Sequence, residues 1–262
     1  MLADMTQWSL FKLAVIFLTR VPIKLTASVT DADINQSSRY FACVGVCIGL
    51  VMALLLWALS LVLPMSVAIL FTIGASVLLT GAFHEDGFAD VWDGFGGGWS
   101  QQQKLDIMKD SRLGTYGSVA LLILMLSKFH LMLTLSGNLF ALLWGIVLAQ
   151  SLSRLSATSL IGKLPYVQLD AQSKVKPVAK SLQLACRATL YLTGIAVIAV
   201  ALVCSVLTLW QVIALIVTLW LTRLLCQCWF KKQLGGYTGD CLGAAQQISE
   251  LMIYTFLVVS LI

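Results

Sequence analysis

The chain reads as long apolar runs separated by short polar interruptions, and the runs have the length of a bilayer core. A helix crossing a membrane needs roughly 20 apolar residues. On that measure the pattern predicts spans near 40–63, 65–83, 118–136, 139–161, 186–208, 210–230 and 248–262, the last being short. Residues 8–21 are also apolar but include Lys12 and Arg20. They predict a shorter interfacial or re-entrant helix ended by Pro22. The turns at 63–66, 135–138 and 208–211 carry no charge, whereas the alternate connections carry Arg20, Lys24, Arg39, Lys163, Lys174, Lys176, Lys180, Lys231 and Lys232. Basic residues collect on the cytoplasmic side of membrane proteins. The expected fold is therefore an all-α integral membrane protein, a polytopic bundle of about seven spans with a cytoplasmic N-terminus. One membrane domain is expected to cover 1–262.

Composition agrees with that reading. Only 11% of the 262 residues are charged, against about a quarter in a soluble domain, and the mean hydropathy is +0.92. The net charge of +5 suits membrane orientation and affinity for anions. No basic run is interleaved with aromatics as a nucleic-acid surface requires. The N-terminus lacks the basic start and small-residue cleavage site of a signal peptide. The seven cysteines form no CxxC pair and read as small buried hydrophobes. Cys226 and Cys228 fall on different faces of a helix.

Against this background one window stands apart. Of 12 acidic residues, Glu85, Asp86, Asp90, Asp93, Asp106 and Asp110 lie within residues 81–117. Carboxylates are costly near lipid, so a gathering of them calls for a positive partner, a divalent metal first. Asp86, Asp90 and Asp93 are spaced by four and three, which puts them on one helical face within roughly 60°. There they can hold one or two Mg²⁺ ions, which take oxygen ligands and keep waters for a phosphate. The alternative is a solvated helix face, although basic partners at i±4 are lacking. Glu85 lies off that face. His84 reads as a ligand, a base or an interfacial side chain.

Two further patches can share the site. Lys109, Asp110, Ser111 and Arg112 precede a span. Arg112 can clamp a phosphate through two parallel bonds, with Asp110 a ligand or a base; the alternative is a basic membrane anchor. Thr115 or Ser118 is expected to cap the helix that follows. Glycines cluster at 94–98 and again at 235–239. Gly235 and Gly236 can let backbone approach a phosphate, and Asp240 is the one carboxylate between Asp170 and Glu250. Lys231 and Lys232 add phosphate attraction or are ordinary flanking charges. Arg154 and Lys128, the latter near His130, sit inside spans, where charge is either functional or snorkels outward. Arg154 and Arg20 are further anion contacts.

The stretch FHEDGFADVWDGFGGG, followed by KLDIMKDSRLGTYG, with FLTRVP upstream and GGYTGD downstream, resembles the cobalamin synthase family, the adenosylcobinamide-GDP ribazoletransferases. The similarity runs from about residue 8 to about residue 250 in the family's order. Glu85, where the family usually has an aliphatic residue, and Trp92, in place of a smaller one, depart from its pattern without removing a carboxylate. The resemblance implies a multi-pass enzyme of the cell inner membrane with Mg²⁺ as cofactor. It implies reaction of adenosylcobinamide-GDP with α-ribazole, or its 5′-phosphate, to give adenosylcobalamin, or its 5′-phosphate, and GMP. Asp86, Asp90 and Asp93 then hold the metal. Asp110 and Asp240 complete its shell or take the hydroxyl proton, and Arg112 and Arg154 neutralise phosphate. Other corrinoid-pathway enzymes are expected to dock, and 164–178 forms a lid or an inert connector. The competing readings are a CDP-alcohol phosphotransferase, whose fuller aspartate pattern is missing, and a transporter.

Overall fold

The computed structural model describes residues 5–25, 28–167, 179 and 181–261. Lys174, Lys176, Lys180 and most of the expected lid lie outside the described residues.

The helices follow the apolar runs, and local sequence sets their starts. α1 (Gln7–Leu18) begins where the Thr6 side chain accepts from the Ser9 N–H. α2 (Asp31–Ser37) begins at a capping box of Thr30 and Asp33. After one 3-10 turn, α3 (Phe41–Ser60) and α4 (Met65–Thr80) form an antiparallel pair joined by the uncharged turn. α5 (Phe83–Gly97) and α6 (Gln101–Lys109) are short. α7 (Thr115–Leu135), α8 (Leu139–Thr158), α9 (Leu184–Val203), α10 (Leu209–Leu234) and α11 (Gly239–Leu261) complete the bundle. Among the described residues six helical stretches are long and apolar enough to cross a membrane, and seven if α4 and α5 together count as one. The chain is a multi-pass membrane protein.

Two departures from the sequence reading shape the site. The last span is not short: α11 starts at Gly239, so Asp240 stands in its first turn and not in a preceding loop. The glycines at 94–97 continue α5 instead of ending it, and Gly98 is its cap.

α4 and α5 meet at an 89° bend. Gly81 (φ 68°) and Ala82 (φ 57°) both adopt the left-handed conformation, which costs an alanine roughly 1–2 kcal/mol. Arg20 braces the corner. Its backbone N–H bonds the Leu79 carbonyl at 2.8 Å, and its side chain lies so close to Gly81 that a Cβ there would fall 2.1 Å from Nε.

The bend turns α5 across the end of the bundle. Its acidic face carries Asp86, Asp90 and Asp93; Phe88 and Trp92 fall on the opposite face. Phe88 and Val91 join a core with Leu105 and Met108 of α6, Leu124 of α7, Phe230 and Leu234 of α10, and Ala244 of α11. A separate, larger core draws on α1, α3, α4 and α7 to α11.

Candidate active site

The site grows from the crossing of α5 over the start of α11. Gly87 makes the crossing possible, because a Cβ there would stand 2.9 Å from the Cα of Asp240. Asp86, one residue earlier, is exposed, while Asp90, one turn later, and Asp240 are half-buried. Asp90 lies within electrostatic reach of Asp240, Asp86 and Asp93, and Asp240 within reach of Asp86. The Thr238 hydroxyl starts α11 by accepting from the Cys241 N–H at 3.3 Å and donates to Asp240 at 3.4 Å. Asp240 also stands at the positive end of the helix dipole, which favours its charged form.

Asp86, Asp90 and Asp240 make no ion pair among the described residues. Among the described residues the ion pairs are Arg112 with Asp110 and Lys128 with Glu250, and neither reaches this crossing. Uncompensated like charges on two tightly packed helices fit a divalent cation. No three His, Cys, Asp or Glu side chains among the described residues enclose a metal by themselves. Mg²⁺ keeps waters and phosphate oxygens in its shell, so it would need only one or two of these carboxylates.

Asp93 has other partners. Its two oxygens accept the backbone N–H groups of Gly114 and Gly117, each at 2.8 Å, and it is buried. Asp93 therefore caps α7 from another helix. Neither Thr115 nor Ser118 does so, since α7 has no side-chain cap of its own and Ser118 Oγ donates to the Gly114 carbonyl. Asp93→Ala should remove the cap and leave two backbone donors unpaired. Caps are worth roughly 0.5–2 kcal/mol, so thermal unfolding in detergent should show a stability loss at the upper end of that range. An unchanged Tm would show that the two bonds carry nothing.

Arg112 and Asp110 find each other. Arg112 Nε donates to both carboxylate oxygens at 3.0 Å, and the guanidinium side chain is 88% exposed. Hydrogen bonding and charge from Arg112 hold the Asp110 carboxyl below its usual range. The pair sits at the mouth of the clamped loop, and Arg112 must exchange partners to hold a phosphate. Lys109, at the end of α6, is exposed.

The remaining expected residues divide. Gly235 ends α10 in the left-handed conformation. Gly236 is taken by protein: its backbone packs on Pro165, and Tyr237 N–H bonds the Pro165 carbonyl at 2.9 Å. Together with Val167 N–H to Tyr237 O at 3.0 Å, this clips the start of the expected lid to the loop before Asp240. Arg20 stands at the α4–α5 corner. Arg154 is 3% exposed and donates to the Gln150 carbonyl and side chain at 2.8 and 2.7 Å. It lies behind the acidic crossing, within the bundle.

Arg154 belongs to a buried polar network absent from the sequence reading. Lys128 pairs with Glu250 at 3.2 Å and donates to Gln247. Gln247 donates to Glu85 at 3.0 Å, and Gln150 and Gln246 donate to Glu250 at 3.0 Å each. Four helices, α5, α7, α8 and α11, are tied together in this way. The signal available in the sequence was the run of Gln and Glu inside apolar helices.

A family model described as cobalamin-5-phosphate synthase matches residues 10–258. An adenosylcobinamide-GDP ribazoletransferase from Shewanella frigidimarina is 46% identical over 253 residues, covering 95% of this chain and 93% of the relative. Proteins of the same name from Shewanella amazonensis (43%, covering 95% and 94%) and Vibrio cholerae (42%, covering 96% and 94%) are similarly related. No solved structure matches the chain significantly.

Proposed function

The chain belongs to the cobalamin-5-phosphate synthase family, and on that premise we propose that its reaction is centred on the α5–α11 crossing, with Mg²⁺ held by one or two of Asp86, Asp90 and Asp240 together with waters and the substrate's phosphate oxygens. The chain transfers the cobinamide-phosphate moiety of adenosylcobinamide-GDP to a ribazole-type acceptor and releases GMP, the step that assembles the nucleotide loop. When bound, Mg²⁺ would supply positive charge to the diphosphate oxygens as the bridging P–O bond to GMP breaks.

The residues arrange the rest. A ribazole hydroxyl attacks the phosphorus bearing the aminopropanol arm. A new O–P bond forms, the P–O bond to GMP breaks, and the hydroxyl proton passes to a carboxylate at the crossing. Arg112, on a loop anchored by Asp93, reaches phosphate by releasing Asp110. Asp93 thereby sets the position of that loop relative to the carboxylates.

The observation that carries this reading is three carboxylates on two packed helices that pair with no cation among the described residues. The test is GMP release by purified protein given adenosylcobinamide-GDP and α-ribazole 5′-phosphate. Release should stop with EDTA and return with Mg²⁺; release that EDTA leaves untouched would sink the metal assignment.

We further propose the cell inner membrane, with the site on the cytoplasmic side. Support comes from the short turns at 61–64, 136–138 and 204–208, which hold no charge, while the ends beside α5 and α6 carry Arg20, Arg39, Lys104, Lys109, Lys231 and Lys232. In an otherwise cysteine-free chain, Asn138→Cys should be labelled only from outside the cell. Labelling from the cytoplasm would reverse the orientation.

A further inference from the structure

Behind the crossing lies a second cavity, lined by Phe17, Phe41, Phe83, His84, Arg154 and Leu242 among others. Its walls are mostly aromatic and aliphatic. Phe17 stacks on Phe41 with centroids 5.3 Å apart and planes 8° from parallel, and meets Phe83 edge-on at 5.3 Å. His84 continues the aromatic wall against Phe83 at 5.3 Å. Among the described residues no Asp or Glu lines the cavity. On its wall Arg154 has a donor to spare: its Nη1 serves Gln150, but its Nε is buried and has no hydrogen-bond partner among the described residues. An unused buried donor of this kind is costly unless something accepts from it.

The cavity is also in the right place. His84 precedes Asp86 by two residues, and Gly239 and Gly243, also on its wall, flank Asp240. A larger groove, about 500 Å³ beside Phe88, Trp92 and Tyr116, lies instead on the face of α5 opposite the carboxylates.

From these observations, and resting on the reaction proposed above, we infer that the Phe17–Phe83–Arg154 cavity is the subsite for the acceptor's base. A ribazole base is a flat, apolar bicycle with methyl groups and a single ring nitrogen free to accept. Apolar walls with one placed donor are what such a ligand needs. Aromatic walls offer it stacked and edge-on contacts. A charged phosphate is disfavoured there, because Glu85 and Glu250 lie within electrostatic reach of Arg154. The cavity measures about 40 Å³, room for a few waters, so the base enters by parting the Phe17, Phe41 and Phe83 rings.

The test uses the full-length enzyme in detergent and varies the acceptor first. The indole counterpart of α-ribazole phosphate replaces the accepting ring nitrogen by C–H and leaves Arg154 Nε unpaired. Its KM should be at least about tenfold higher than that of the natural acceptor. Two variants then address the walls: Phe17→Ala removes a stacking face, and Ala157→Leu fills the cavity. Each should raise the KM for the acceptor severalfold and leave the KM for adenosylcobinamide-GDP unchanged. Equal kinetics for the two acceptors in the unmodified enzyme would overturn the proposal, as would an unchanged acceptor KM in both variants. Failure of the unmodified enzyme to release GMP from its natural pair would instead strike at the reaction proposed for the chain.

Discussion

Asp90→Asn is expected to reduce GMP release by about two to three orders of magnitude, the scale of losing one preorganised charge at a reacting centre. The side chain keeps its shape and loses only its charge. Asp90 is half-buried on the acidic face, within electrostatic reach of Asp86, Asp93 and Asp240. Among the described residues it makes no ion pair. Substitution therefore breaks no bond among the described residues and relieves repulsion, so Tm in detergent should hold steady or rise. The combination separates a role in binding a cation from a role in folding. Higher Mg²⁺ should restore part of the rate, because a weakened site fills at greater concentration. Near-normal turnover at ordinary Mg²⁺ would remove Asp90 from the metal shell.

Asp93 should behave differently although it lies on the same face. Its oxygens already serve Gly114 and Gly117, so Asp93→Ala should lower Tm as well as rate. Spacing alone could not distinguish the two. An i, i+4, i+7 pattern gives the shared face, but the partner of Asp93 lies 21 and 24 residues further on. Which carboxylate is free and which is a cap is decided in three dimensions.

The same contrast runs through the fold. Apolar runs located the spanning helices, because in lipid a backbone must satisfy its own hydrogen bonds and an apolar stretch becomes a helix. The alternation of charged and uncharged connections was legible for the same reason. The corner at Gly81 and Ala82 was not. An alanine in the left-handed conformation has no sequence signature, and it persists here beside Arg20 and the Leu79 carbonyl. The early start of α11 was missed because a Gly-Asp pair reads as a turn, whereas the Thr238 cap makes it the first turn of a helix. Arg154 was expected to reach a phosphate directly. Its hydrogen bonds to Gln150 hold it inside the bundle, a depth that hydropathy does not report.

Lys128→Met is expected to give the largest loss of stability. Lys128 and Glu250 are both buried, with side chains only 6% exposed each, and pair at 3.2 Å. Removing one member of a buried pair strands the other charge and costs roughly 3–5 kcal/mol. The loss should appear as a clear fall in Tm for the detergent-solubilised protein. Combining Lys128→Met with Glu250→Gln should recover part of it, since no bare charge remains and the amide oxygen can still accept from one of Gln150 and Gln246, which donate to different oxygens of Glu250. A single variant as stable as the parent would show that Glu250 finds water or another cation when Lys128 is gone. The position of the pair makes its effect on catalysis predictable as well. Lys128 lies on α7, whose N-terminus is clamped by Asp93, and Glu250 lies on α11, which carries Asp240. Gln247 extends the link to Glu85, the neighbour of Asp86. Any slackening of this network moves the helices that hold the carboxylates. The double variant should therefore regain stability more completely than it regains turnover, because an uncharged pair restores solvation without restoring the same register.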